Sequence, residues 1–84
     1  MSQFFADGQL IHMALDKFGL PGCFILDGQD YQVEGVSERW RVDEGWWQGR
    51  VWRDYYTLTT TNGGLMMVYY NLLAKTWHLA RRYD

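Results

Sequence analysis

The chain has one cysteine, one proline and two histidines in 84 residues. A lone thiol, Cys23, excludes an intrachain disulfide framework, and no histidine pair has the spacing of zinc ligands. No cofactor or structural metal is expected. The run of ~20 apolar residues that a membrane helix needs is missing, and the N-terminus lacks the basic start and apolar stretch of a signal peptide. These absences predict a cytoplasmic protein with no membrane partner. Gly63-Gly64 has neither the lysine nor the following helix of a phosphate loop.

Catalytic groups are equally sparse. Cys23 sits in the apolar run Cys23-Phe24-Ile25-Leu26, where a buried, inert thiol is the usual outcome. A hairpin turning near Gly19 sets Cys23 opposite about Leu15 and His12 opposite about Leu26. At ~3.4 Å per residue the two are then roughly 10 Å apart, a poor nucleophile and base. Asp43 and Glu44 flank an aromatic segment and have the right chemistry for acid–base work, but on a loop nothing fixes their geometry. No enzyme is expected.

Positive charge is also in short supply, since the net charge is −2. Residues 1–36 set Asp7, Asp16, Asp27, Asp30 and Glu34 against Lys17 alone, whereas Ser37 onward is mildly basic. That balance falls short of the footprint of a general nucleic-acid binder.

What the chain does have is aromatic mass, 18% of its residues, enough to fill the one core that a domain of this size builds. Its centre of gravity is Ser37–Tyr56, where Trp40, Trp46, Trp47 and Trp52 interleave with Arg39, Arg41, Arg50 and Arg53 and lead into Tyr55-Tyr56. Such rings either fill a core or meet a partner. Trp40, Tyr56 and Trp77 are expected in the core. For Trp46 and Trp47 both readings stand, because consecutive strand residues point to opposite faces, and at least one of the two is expected on the surface.

Met1–Gly8 reads as an arm with Phe4 and Phe5, and residues 10–84 as a single β domain. Ile11, Met13 and Leu15 alternate with His12 and Ala14 as in a half-buried strand, with a helix as the competing reading. Gly19-Leu20-Pro21-Gly22 breaks the chain before Cys23–Leu26, which suggests a hairpin. Asp27-Gly28 makes the next turn. Tyr31, Val33 and Val36 mark a third strand whose parity slips at Glu34-Gly35, the signature of a β-bulge or barrel corner. Asp43–Gly49 is polar and bounded by glycine, so it reads as a loop. A strand from Val51 or Tyr55 to Thr61 then meets the turn Asn62-Gly63-Gly64. Leu65–Asn71 is apolar on both faces and should be covered on both. In Thr76–Tyr83, Trp77, Leu79 and Tyr83 alternate with His78 and Arg82. Six short strands joined by hairpin-length turns predict an all-β antiparallel meander, curled into a barrel or strongly twisted sheet.

Laid end to end, several positions resemble a small domain found at the C-terminus of ImuB-type proteins, the catalytically inactive Y-family polymerase-like subunits of bacterial mutasomes, and also as short stand-alone proteins. They are Pro21 with Phe24, Gly28, Tyr31, Val33, Val36, Trp40-Arg41, Asp43-Glu44 before Trp46-Trp47, Arg53-Asp54-Tyr55-Tyr56, Gly64, Trp77, Leu79 and Tyr83-Asp84. The resemblance covers nearly the whole chain after Ile11 and carries over no residue-level role. It implies a module near translesion DNA synthesis that docks onto a polymerase- or clamp-associated partner or steadies DNA beside one. The chain contains no polymerase-like region and no recognisable clamp-binding peptide.

Two functional readings follow, with Trp46, Trp47, Arg39, Arg41, Arg50, Trp52 and Arg53 as the partner-binding set. In the first they form a hot-spot patch for a protein partner. In the second, bases of a single strand stack on the tryptophans and the arginines contact phosphates. From Ser37 to Tyr56 the four arginines meet four carboxylates, which favours the protein partner and makes any nucleic-acid binding weak. A homodimer is the third expectation.

Overall fold

The computed structural model describes residues 8–46 and 49–83, with only the backbone at Trp46. Its six strands are β1 (Gln9–Leu15), β2 (Pro21–Leu26), β3 (Gln29–Trp46), β4 (Gly49–Thr60), β5 (Leu65–Asn71) and β6 (Thr76–Tyr83). Every neighbouring pair is antiparallel, and β1 meets β6 to close a barrel in chain order. Among the described residues there is no helix. The expected meander is thus observed, in its closed form. Of the expected arm, residues 1–7 lie outside the described residues, and Gly8 is held by its bonds to Tyr69 and His78.

The turns form where small and polar residues release the backbone. Asp16 Oδ1 accepts the amides of Phe18 and Leu20, and Gly19 takes a φ of 79° to reverse β1 into β2. Asp27 and Gly28 both hold positive φ, 52° and 75°, as a two-residue hairpin turn demands. At the β4–β5 turn, the Thr60 hydroxyl is buried against Asn62 Oδ1 and accepts the Gly64 amide at 3.1 Å.

β3 is two strands in one. Gln29–Gln32 pairs with β2, whereas Val33–Trp46 pairs with β4, and the register breaks at Glu34 and again at Ser37. The first break is the bulge foreseen at Glu34-Gly35, placed where the strand turns the barrel's corner. Inside the barrel, Ile11, Phe24, Leu26, Tyr31, Tyr56, Leu58, Met66 and Val68 form the core, with Val33, Val36, Trp77 and Leu79 packed against it.

Two expectations of parity fail. A register break in β6 leaves Ala80 unpaired, so Arg82 comes opposite core Met66 and Tyr83 opposite Leu65. Arg82 therefore joins the inner side, donating to the Tyr31 hydroxyl at 2.7 Å, and Tyr83 leaves it. In the first hairpin, Cys23 faces Ala14 and His12 faces Ile25, one residue off the expected register. His12 and Cys23 are consequently diagonal neighbours on the outer face, about 7–8 Å apart along the sheet. Cys23 is half-buried there, not in the core.

The largest departure concerns Asp43–Trp46. These residues are strand, not loop: β3 and β4 stay paired from Val42 opposite Arg53 to Trp46 opposite Gly49. β5 reaches only to Arg53, so residues 42–46 and 49–52 leave the barrel as a two-stranded ribbon. The polar composition that suggests a loop is a set of cross-strand partners, described next.

Candidate functional site

The ribbon has two faces because strand residues alternate. One face carries Arg39, Arg41 and Asp43 from β3 beside Arg50, Trp52 and Asp54 from β4. Arg41 grips Asp54 with two hydrogen bonds, at 2.6 and 3.1 Å, and Arg50 grips Asp43 with two at 3.0 Å. Both forks raise the guanidinium above its ordinary pKa, chiefly through the hydrogen bond to the carboxylate. The bond from Arg50 likewise lowers the Asp43 carboxyl below its usual range. The Arg50 guanidinium also lies over the Trp52 ring, 4.2 Å from its centre, so that tryptophan is half-covered. Arg39 sits 5.3 Å from the Tyr56 ring centre. Burial raises the Tyr56 phenol pKa, with Arg39 working in the opposite direction.

The other face continues onto the outside of the barrel as a row of stacked rings. Trp40 stacks on Tyr55 at 5.3 Å, Tyr55 meets Tyr69 at 5.2 Å, and Tyr69 stacks on His78 at 4.9 Å. Arg53 lies over Tyr69 at 4.3 Å and donates to the Tyr55 hydroxyl at 3.2 Å. Gly8 closes the far end: its amide donates to the Tyr69 hydroxyl at 2.9 Å, and its carbonyl lies 3.1 Å from His78 Nδ1. Tyr69 is 0% exposed although it points away from the core, which is how Leu65–Asn71 comes to be covered on both faces at its centre.

Trp40 is the exception in this row, at 39% exposed. It was expected in the core alongside Tyr56 and Trp77. Tyr56 is buried and Trp77 is half-buried against the core, but the second bulge, at Ser37, puts Arg39 opposite inward Tyr56 and turns Trp40 outward.

The expected partner-binding set is therefore divided. Arg41, Arg50, Trp52 and Arg39 share one face, Arg53 is buried beneath the other at 5% exposure, and Trp46 is described only as backbone opposite Gly49. Trp47 lies outside the described residues. Sequence reasoning missed Tyr55, Tyr69 and His78, whose link to Trp40 depends on strand register across four strands. The period-2 spacing of Tyr55 and of Tyr69 and the order of the strands are legible in the sequence, but not the register that aligns the rings.

A shallow depression of about 300 Å³ lies on the outer face of β1–β3, lined by His12, Cys23, Ile25, Asp30 and Gln32 among others. No hydrogen bond joins His12 to Cys23 among the described residues, and none of the described His, Cys, Asp and Glu residues group as metal ligands. No family model, curated protein or solved structure matches the chain.

Proposed function

We propose that the chain is a non-catalytic protein-interaction module whose β3–β4 ribbon is its docking element. One observation carries this reading: Arg41 and Arg50 are already committed to carboxylates of the same chain, while Trp40 is left 39% exposed on a stacked aromatic face. A flat ring pre-stacked on Tyr55 offers a partner apolar area at little cost in side-chain ordering. The ion pairs on the ribbon's opposite face fasten the two strands behind it. A polymerase-associated protein is the partner class that the mutasome resemblance suggests.

The exposed Trp40 ring, stacked on buried Tyr55, also suits a base of a single strand, the second reading. Phosphate contact is poorly served beside that ring, because Arg41 and Arg50 hold carboxylates on the opposite face and Arg53 is buried at 5% exposure, and that ranks it lower. The test is a pair of binding measurements on the wild type and on Trp40→Ala. A protein captured by the wild type should be lost with Trp40→Ala while the variant stays folded. Single-stranded DNA should bind weakly by fluorescence anisotropy at ~50 mM salt. A tight complex that weakens steeply with salt would reverse the ranking.

A further inference from the structure

Barrel closure leaves one long edge open. Among the described residues β3 has only β2 and β4 as neighbours, and β2 stops pairing at Gln32. From there to Trp46 the edge away from β4 has no backbone partner among the described residues. Its first part is kinked by the bulges at Glu34 and Ser37, but Glu38–Trp46 pairs with β4 without a break. In such a strand every second residue directs its N–H and C=O outward, a ready template for another strand.

We infer that this edge receives a second copy of the same chain, β3 against β3, antiparallel about a two-fold axis through Val42. Symmetry restricts the choices, because in an isologous antiparallel pair one residue must face its own copy. Axes at Glu38, Arg39, Arg41, Asp43 or Glu44 set a charge against itself, and an axis at Trp40 sets Arg39 against Arg41. Axes at Gly45 and Trp46 avoid like-charge pairs but overlap only three residues and one residue of the stretch, whereas an axis at Val42 avoids them too and, as the midpoint of Glu38–Trp46, overlaps all nine. The register places Val42 on Val42, Arg41 on Asp43, Trp40 on Glu44, Arg39 on Gly45 and Glu38 on Trp46.

Charges normally guard an edge against pairing, and here their order admits one register over the full stretch. Arg41 already holds Asp54, and Asp43 already holds Arg50. Bringing Arg41 opposite Asp43 of the second copy joins these pairs into an alternating row, Asp54, Arg41, Asp43, Arg50, repeated by the two-fold. The product is a four-stranded platform, β4–β3–β3–β4, with both Trp40 rings on one face. This inference does not depend on the identity of any other partner.

The experiment combines mass in solution with site-specific cross-linking in a Cys23→Ser background. Light scattering over a concentration series should approach the mass of two chains. Val42→Cys should give a covalent pair under mild oxidation, because directly opposed Cβ atoms lie about 4.5–5.5 Å apart. Glu44→Cys, on the same face but four positions from its own copy, should not. A one-chain mass at every concentration overturns the proposal, as does cross-linking of Glu44→Cys as readily as Val42→Cys. Protection of the edge only when a different protein is added would assign it to another chain's strand and overturn it too.

Discussion

Gly8 shows how one missing methyl group fixes the path of the chain. A Cβ there would lie 2.1 Å from the Leu79 carbonyl oxygen, a backbone atom that cannot step aside. Gly8→Ala is therefore expected to shift the segment, lose the Tyr69 hydrogen bond, and lower stability by about 1–3 kcal/mol in a denaturant titration. Two other residues contribute a pH dependence to stability. Asp43 has its carboxyl pKa held below the ordinary 3.8 by Arg50. The unfolded chain has no such partner, so the stabilisation is present above that value and is lost as pH falls through the folded pKa. Asp43→Asn should flatten this part of the acid limb. The Tyr56 phenol pKa is raised above 10.0 by burial, so its contribution is intact below that pH and is lost as pH rises through the folded value. Tyr56→Phe should remove this alkaline dependence, with stability followed from pH 9 upward as the measurement.

At the level of strands, what could be read in advance were features decided within a few residues. Asp27-Gly28 and Asn62-Gly63-Gly64 announce turns because glycine and aspartate accept positive φ, and Gly35 marks a corner because the alternation slips there. The length of the ribbon could not be read that way. Asp43 and Arg50 look like loop residues until their strands are aligned, whereupon they become each other's partners. Trp40 and Arg82 lie on the sides opposite to those their alternation predicts for one reason: the bulges at Ser37 and Ala80 reverse parity without a glycine to mark them. The corrected sides have measurable consequences. Leu58→Ala, at a fully buried site, is expected to cost ~2–5 kcal/mol. Trp40→Ala forfeits mainly its stack on Tyr55, about 0.5–1.5 kcal/mol beyond area. Melting temperatures should rank the second variant clearly above the first. Of the two ion pairs, Asp54→Asn should destabilise more than Asp43→Asn, because the Asp54 side chain is 11% exposed against 49% for Asp43.

For the whole molecule, the division of labour follows from where the strands end. The barrel closes through a short β1–β6 seam of three residue pairs, Gln9 to Ile11 against Leu79 to Trp77, and shuts its core within residues 8–83. β3 and β4 then run on past the point where any other strand among the described residues accompanies them. A ribbon that buries no core of its own, yet is fastened by two bidentate ion pairs and a stacked arginine, is expected to stay ordered for contact with something else. The central claim is that β3 of this ribbon is built to receive another chain, and amide hydrogen exchange read residue by residue from Glu38 to Trp46 tests it most directly. At high protein concentration, amides on both edges of β3 should be protected, and on dilution every second one should become fast while the β4-facing amides stay slow. If the alternate amides exchange freely at every concentration, the edge has no occupant in solution and the account of the ribbon is wrong.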